Sequence, residues 1–181
     1  MLLVQPITVR HFSDPGCPWA YSASPALATL RWRYGAQLDW QLTQEPDHAG
    51  LQRWMKDLNH AYRDSPALHQ QDFSAAGFQW IDGNDYDNSV LTFLRWPEEG
   101  PPVLVAANFT PVVREGYRVG VPLGGRWREV LNSDAPVYGG SGQGNMGGVD
   151  AEESPWHGRS HSVCLRLPPL GIVVFRPEHA E

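Results

Sequence analysis

The sequence predicts a mainly β protein: an antiparallel β sandwich with one packed helix and a small N-terminal strand-helix-strand appendage. Three observations predict it. The 181 residues hold 18 glycines, 16 prolines and eight tryptophans, a mix that suits short strands, many turns and large aromatic faces. Seven β-type runs follow one another from residue 77 onward, separated by turn-forming residues. A single segment carries a clear helical apolar period.

Taken in order, Ile7-Thr8-Val9-Arg10-His11-Phe12 alternates apolar and polar residues and reads as a strand. Ser13-Asp14-Pro15-Gly16 turns the chain. Pro18 suits the first turn of a helix carrying Leu27, Leu30 and Tyr34, which Pro25 kinks and Gly35 stops. Leu38 to Leu42 supplies a second strand. Leu51, Trp54, Met55, Leu58 and Tyr62 then form one apolar stripe on a second helix, with Asp47 as its cap. Asp64-Ser65-Pro66 ends that helix, because the residue before proline is pushed out of helical geometry. Gln52, Arg53, Lys56, Asp57 and Arg63 make its solvated face. The β-type runs are 77–81, 89–95, 103–110, 117–121, 126–131, 162–167 and 170–175, with turns at Asp82-Gly83-Asn84-Asp85 and Pro97-Glu98-Glu99-Gly100.

Charge and cysteine usage narrow the function classes. A net charge of -6 without clustered lysine and arginine argues against a nucleic-acid partner. No stretch approaches the roughly 18 apolar residues of a membrane helix, so no membrane partner is expected. Two distant cysteines, Cys17 and Cys164, are too few for a disulfide framework, and the first residues lack a signal-peptide pattern. Both point to the cytoplasm.

The first motif with chemical meaning is Phe12-Ser13-Asp14-Pro15-Gly16-Cys17-Pro18-Trp19-Ala20-Tyr21, a cysteine where a strand meets a helix. Backbone N–H groups and the helix dipole favour a thiolate there. Over about Ile7 to Leu42 these residues resemble the opening of thioredoxin-fold disulfide oxidoreductases of the DsbA type. The resemblance implies a redox thiol at Cys17. Ala20 stands where the resolving cysteine would be, so the implied role is a monothiol one.

A longer resemblance begins in Asp47-His48-Ala49-Gly50-Leu51-Gln52-Arg53-Trp54 and continues through Gly77-Phe78-Gln79-Trp80, Asn108-Phe109-Thr110-Pro111-Val112 and Trp127-Arg128-Glu129-Val130-Leu131-Asn132. It closes in His157-Gly158-Arg159-Ser160-His161-Ser162 and Leu167-Pro168-Pro169-Leu170. From about Leu38 to Pro177 the chain resembles the C-terminal part of bacterial 1,4-α-glucan (glycogen) branching enzymes. That implies an α-amylase C-terminal all-β domain, preceded by the last helix of a (β/α)8 barrel. It also implies glycogen biosynthesis, in which an α-1,4-glucan piece is moved to a 6-hydroxyl.

Retaining glucan transfer needs paired carboxylates on a rigid frame. In the family these sit on barrel strands, which would lie N-terminal to Leu38, where this chain has other residues. No branching is therefore expected of the chain alone. Glu98-Glu99 and Glu152-Glu153 are adjacent pairs whose side chains point apart, so neither replaces the barrel acids.

The expected organisation is 1–45, a partial thioredoxin-like segment; 46–69, the last barrel helix and linker; and 70–181, the all-β domain. Leu38-Asp39-Trp40-Gln41-Leu42 suits either ancestor, so the seam lies between 38 and 45. An α-glucan is the expected ligand, with Asp39, Trp40, Trp80, Trp127 and Trp156 as candidate contacts, since aromatic faces stack on sugar rings. The apolar helix stripe is expected either to self-associate or to dock on a separate barrel. The alternatives are a monothiol redox protein, a glucan-binding module, or a fusion product without selected activity.

No cofactor or metal is expected. Gly139 to Asn145 lacks a Gly-Lys-Ser/Thr ending and reads as a flexible loop, not a phosphate cradle. His157 and His161 share a face only on a helix, whereas their segment reads as turn entering strand. Asn108-Phe109-Thr110 is a glycosylation sequon without a secretion signal.

Overall fold

The structure, a computed structural model, describes the backbone of residues 7–12, 29, 32–33, 38–43 and 46–178, and side chains of 29, 32–33 and 49–178. The chain divides into two units, Met1–Met55 and Lys56–Glu181.

In the first unit, β1 (Ile7–Phe12) pairs in parallel with β2 (Leu38–Thr43), Ile7 opposite Leu38 and Phe12 opposite Thr43. Thr29, Trp32 and Arg33, between the two strands, are helical. Parallel neighbours require a crossover, so this is a strand-helix-strand unit. Cys17, Pro25 and Gly35 lie outside the described residues.

Helix α1 spans Pro46–Asp64. Proline is at home in a first helical turn, and the helix starts there, so Asp47 lies inside it and is not its cap. Along the apolar stripe Leu51, Met55 and Tyr62 are exposed, while Trp54 and Leu58 are half-buried.

The second unit is the sandwich. One sheet holds six strands in the order β3 (Phe78–Asp85), β4 (Val90–Arg95), β5 (Val103–Asn108), β10 (Gly171–Pro177), β7 (Gly125–Asn132), β8 (Gly148–Ala151). The facing layer is β6 (Arg114–Val121) paired with β9 (His161–Leu167). Every pair in both sheets is antiparallel. Alternation decides which side chains enter the core: in β9, Val163, Leu165 and Leu167 point in while Cys164 and Arg166 point out. They meet Val119 and Val121 of β6, Leu94 of β4, Leu104 and Ala106 of β5, Trp127 of β7, and Val173 and Phe175 of β10 in one buried cluster. β5 and β10 are central strands, and Val103 to Ala106 form a continuous buried run.

All seven sequence-predicted runs are strands, and β8 is an eighth that the sequence reading lacks. The expected turn Asp82-Gly83-Asn84-Asp85 is instead the irregular end of β3. The register slips on either side of Asp82, and the Asp82 N–H donates to the Thr92 hydroxyl at 3.2 Å.

The C-terminal half of α1 meets this sandwich at Asp57, one of the positions the sequence reading gave to solvent. Asp57 is half-buried and accepts a hydrogen bond from the Tyr138 hydroxyl at 2.8 Å. Arg176 of β10 reaches the Asp64 carbonyl and the Ser65 hydroxyl at 3.4 and 3.3 Å. The tyrosine and arginine both come from the sandwich; Gln52, Arg53, Lys56 and Arg63 remain exposed, so the solvated face departs from expectation only at Asp57.

Candidate functional site

Of the candidate contacts, the structure separates the tryptophans by burial. Trp127 is 0% exposed and lies in the core, its indole N–H donating to the Leu123 carbonyl at 3.1 Å. No ring can stack on it without opening the sandwich, so its assignment as a sugar contact is corrected. Trp80 and Trp156 are 53% and 48% exposed. Asp39 and Trp40 belong to β2, and their side chains lie outside the described residues.

Trp80 stands on edge strand β3 as part of an aromatic ladder. Its ring meets Phe78 edge-on at 4.9 Å and Phe93 at 5.8 Å, while Phe78 and Phe93 are 5.1 Å apart. Behind it lies Gly83, where an added Cβ would come within 3.2 Å of the indole. The side chain is thus braced by its neighbours and still open to solvent, which lowers the entropy lost when a ligand packs on it.

Trp156 borders a cleft of about 650 Å³. Three segments build it: the irregular end of β3 and the turn after it, with Asp82, Asp85 and Asn88; strand β6 with Arg114, Tyr117 and Arg118; and the loop carrying Trp156 and His157. That loop is a tight turn in which Trp156 and Arg159 exchange backbone hydrogen bonds, with His157 and Gly158 in left-handed conformations at φ 48° and 71°. Gly120 lets it approach β6, since a Cβ there would sit 2.1 Å from the Trp156 carbonyl oxygen.

Inside the cleft most charges are matched. Asp85 accepts from the Tyr117 hydroxyl at 2.7 Å and from Asn88. Burial, then the hydrogen bond to Asp85 and that carboxylate's charge, push the Tyr117 hydroxyl well above its ordinary pKa. Asp85 itself is held below the usual carboxylate range, because its hydrogen bonds from Tyr117 and Asn88 outweigh the upward push of burial. Arg118 pairs with Glu152 at 2.7 Å, and Glu115 with Arg166 at 2.7 Å. His157 Nδ1 accepts from the Gly120 N–H at 3.3 Å, leaving Nε2 3.7 Å from Asp82. Burial lowers the His157 pKa more than Asp82 and Asp85 raise it. Arg114 donates to the Asn88 carbonyl at 3.1 Å, but its buried Nε has no partner.

The glycine-rich stretch is not a loose loop. Asp134 accepts from the Ser141 N–H and the Gln143 N–H at 2.9 Å each and from the Ser141 hydroxyl at 2.6 Å. Those N–H groups do cradle an anion, and the anion is the chain's own aspartate. Asn108 of the sequon is 2% exposed and donates to the Val112 and Pro168 carbonyls, so it is a structural clasp. His161 meets the Ser160 hydroxyl at 3.0 Å while His157 faces Asp82. Among the described residues, no three His, Cys, Asp or Glu side chains are placed to share a metal ion. No described helix is long and apolar enough to cross a membrane.

Residues 80–178 match the family model described as the alpha amylase, C-terminal all-beta domain. The chain belongs to this family. Relatives of the alpha amylase C-terminal all-beta domain found in this chain include the 1,4-alpha-glucan branching enzyme GlgB of Pseudomonas putida, 56% identical over 146 residues. That alignment covers 81% of this chain and 20% of the relative. The same-named enzyme of Aquifex aeolicus is 51% identical over 81% of this chain and 24% of its own length, and that of Cereibacter sphaeroides is 49% identical over 92% and 23%. The chain thus spans about a fifth to a quarter of the length of the relatives it matches. The Cereibacter alignment takes in 166 of 181 residues, leaving 15, so it begins no later than residue 16. It therefore enters the segment that resembles the DsbA opening.

Proposed function

We propose that residues 70–181 act as the C-terminal β domain of a glycogen branching enzyme, with 46–69 as the last barrel helix and linker. The carrying observation is the 56% identity over 146 residues to a 1,4-alpha-glucan branching enzyme. The reaction is transfer of an α-1,4-glucan segment to a 6-hydroxyl, carried out in the cytoplasm on barrel carboxylates. The sandwich contributes glucan contacts, first among them Trp80, whose braced and open indole suits a pyranose face. Asp39 and Trp40 are further candidate glucan contacts. The exposed Leu51, Met55 and Tyr62 of α1 are the surface on which a separate barrel docks.

Affinity electrophoresis in a glycogen-containing gel tests the glucan reading. The purified chain is expected to be retarded and Trp80→Ala to run closer to its glycogen-free mobility; equal mobility of the wild-type chain with and without glycogen overturns it. The chain alone is expected to be inactive in branching, and mixing it with a barrel lacking its β domain to restore activity.

For residues 1–45 the reading is a DsbA-like start with a monothiol at Cys17. The Cys17-Pro18 sequence supports it, and the parallel β1–β2 pair is compatible with it. Alkylation of Cys17 at neutral pH decides the matter: fast reaction supports an activated thiolate, and the slow rate of a thiol titrating near ~8.5 removes it.

A further inference from the structure

We propose that neutral His157 latches the Trp156 turn onto strand β6, and that protonation of this one ring releases the turn. The direction of the β6 backbone creates the latch. Ser162 of β9 stands opposite Gly120, yet it exchanges both of its backbone hydrogen bonds with Glu152. Where one residue of an antiparallel pair turns its N–H and C=O away, its opposite does the same, so the Gly120 N–H points out of the β6–β9 ladder. The acceptor that meets it is His157 Nδ1, at 3.3 Å. A ring nitrogen accepts only when it carries no proton, so the docked imidazole is neutral, with its hydrogen on Nε2.

Protonation turns Nδ1 into a second donor facing the Gly120 N–H. The turn has no slack to absorb this: at Gly120 the strand lies so close that an added Cβ would sit 2.1 Å from the Trp156 carbonyl oxygen. Trp156 and Arg159 exchange backbone hydrogen bonds, so the turn leaves as a unit and takes the indole with it. The charged groups around the ring are mixed. Asp82 and Asp85 at the end of β3 attract the imidazolium, but Asp82 is 3.7 Å from Nε2, beyond a hydrogen bond, and Asp85 is engaged by Tyr117 and Asn88. Arg159, within the turn, repels it. Along β6, Arg118 is paired with Glu152 and Glu115 with Arg166, while Arg114 donates to the Asn88 carbonyl. Burial opposes the charge more than the two aspartates favour it. Release hydrates the ring and returns it to an ordinary pKa near 6.5, so the released form takes up a proton that the docked form refuses. The docked turn therefore prevails above pH 6.5 and loses ground as the pH falls below it.

NMR of the full chain without any ligand, followed from pH 7.5 down to 5, tests this. Long-range nitrogen–proton spectra at the upper end are expected to show His157 with its hydrogen on Nε2. As the ring titrates, the Gly120 amide and Trp156 indole signals should move in step with it. Hydrogen exchange at Gly120, corrected for its intrinsic pH dependence, should quicken severalfold relative to Val119, which stays paired with Val163 in the core ladder. His157→Asn keeps an acceptor oxygen near the place of Nδ1 and tolerates the left-handed backbone at φ 48°, but it cannot titrate. Its Gly120 and Trp156 signals should hold still across the range. A wild-type ring that titrates while Gly120 and Trp156 stay fixed overturns the latch. So does a hydrogen on Nδ1 at pH 7.5, or a variant whose signals follow pH as the wild type's do. Should His157→Asn fail to fold by circular dichroism, the wild-type titration alone decides.

Discussion

The Asp134 loop and the Trp156 cleft are built from the same materials and end in opposite states. Each gathers backbone N–H groups, carboxylates and glycines around a turn. At Asp134 every donor converges on a carboxylate from the same chain, with Gly142 also donating to the Asp134 carbonyl at 2.8 Å. At the cleft the turn is equally fixed, yet Arg114 Nε lacks a partner and the Trp156 face is half open. A satisfied polar network stabilises the fold, whereas a half-open aromatic face is left for a ligand to pack on. The contrast separates residues that hold the domain together from residues that serve it.

Removing the closed network should have the largest effect. Asp134→Ala is expected to cost roughly 2–4 kcal/mol in urea unfolding, since three charge-assisted hydrogen bonds are lost together. Burial pushes the Asp134 pKa up, but the hydrogen bonds from Ser141, Gln143 and Gly142 outweigh it and hold the pKa below its ordinary 3.8. Its contribution is therefore present above pH 3.8 and lost as the pH falls through the lower folded value. The acid limb of the stability curve should flatten in the variant.

Gly120→Ala comes next. A methyl group there meets the Trp156 carbonyl oxygen at 2.1 Å, so the turn must move, at a cost of about 2 kcal/mol by thermal unfolding. The comparison sharpens if this variant also weakens glucan binding, because the displaced turn carries the indole.

How much of this was legible in the sequence depends on distance along the chain. The alternation in Ser162 to Leu167 and the bracketing turns mark the strands well, because a two-residue period is local. β8 escaped, being four residues, Gly-Val-Asp-Ala, whose alternation is too short to stand out and which pair only at the sheet edge. Asp82 to Asp85 carries turn-forming residues yet extends β3, since bulges accept the same residues as turns. Tryptophan is legible as important and not as inward or outward. Trp127 lies in the buried cluster with Val173 and Phe175 of β10, whereas Trp80 is half exposed on an edge strand. The cleft joins Asp82 to Trp156 across 74 positions, and no local pattern encodes that meeting. Asp57 shows the same limit, since its partner Tyr138 is 81 residues away.

The smaller effects belong to the open region. His157 is kept below its ordinary pKa of 6.5, mainly by burial. The unfolded chain then binds protons that the folded one refuses, so its contribution is present above pH 6.5 and is lost as the pH falls toward the lower folded value. His157→Asn, which tolerates the left-handed backbone there, should remove that loss in denaturation curves taken from pH 7.5 down to 5. Trp156→Ala should change stability least, within about 0.5 kcal/mol, because half of its surface is already in water. A large loss there would place the ring among the structural residues.

The most direct measurement is the response of the indole N–H signals in a two-dimensional NMR spectrum as maltoheptaose is added. Trp80 and Trp156 should shift with ligand, and Trp127, donating to Leu123 inside the core, should stay in place. Stationary Trp80 and Trp156 signals at saturating ligand would contradict the assignment of the open aromatic faces to glucan.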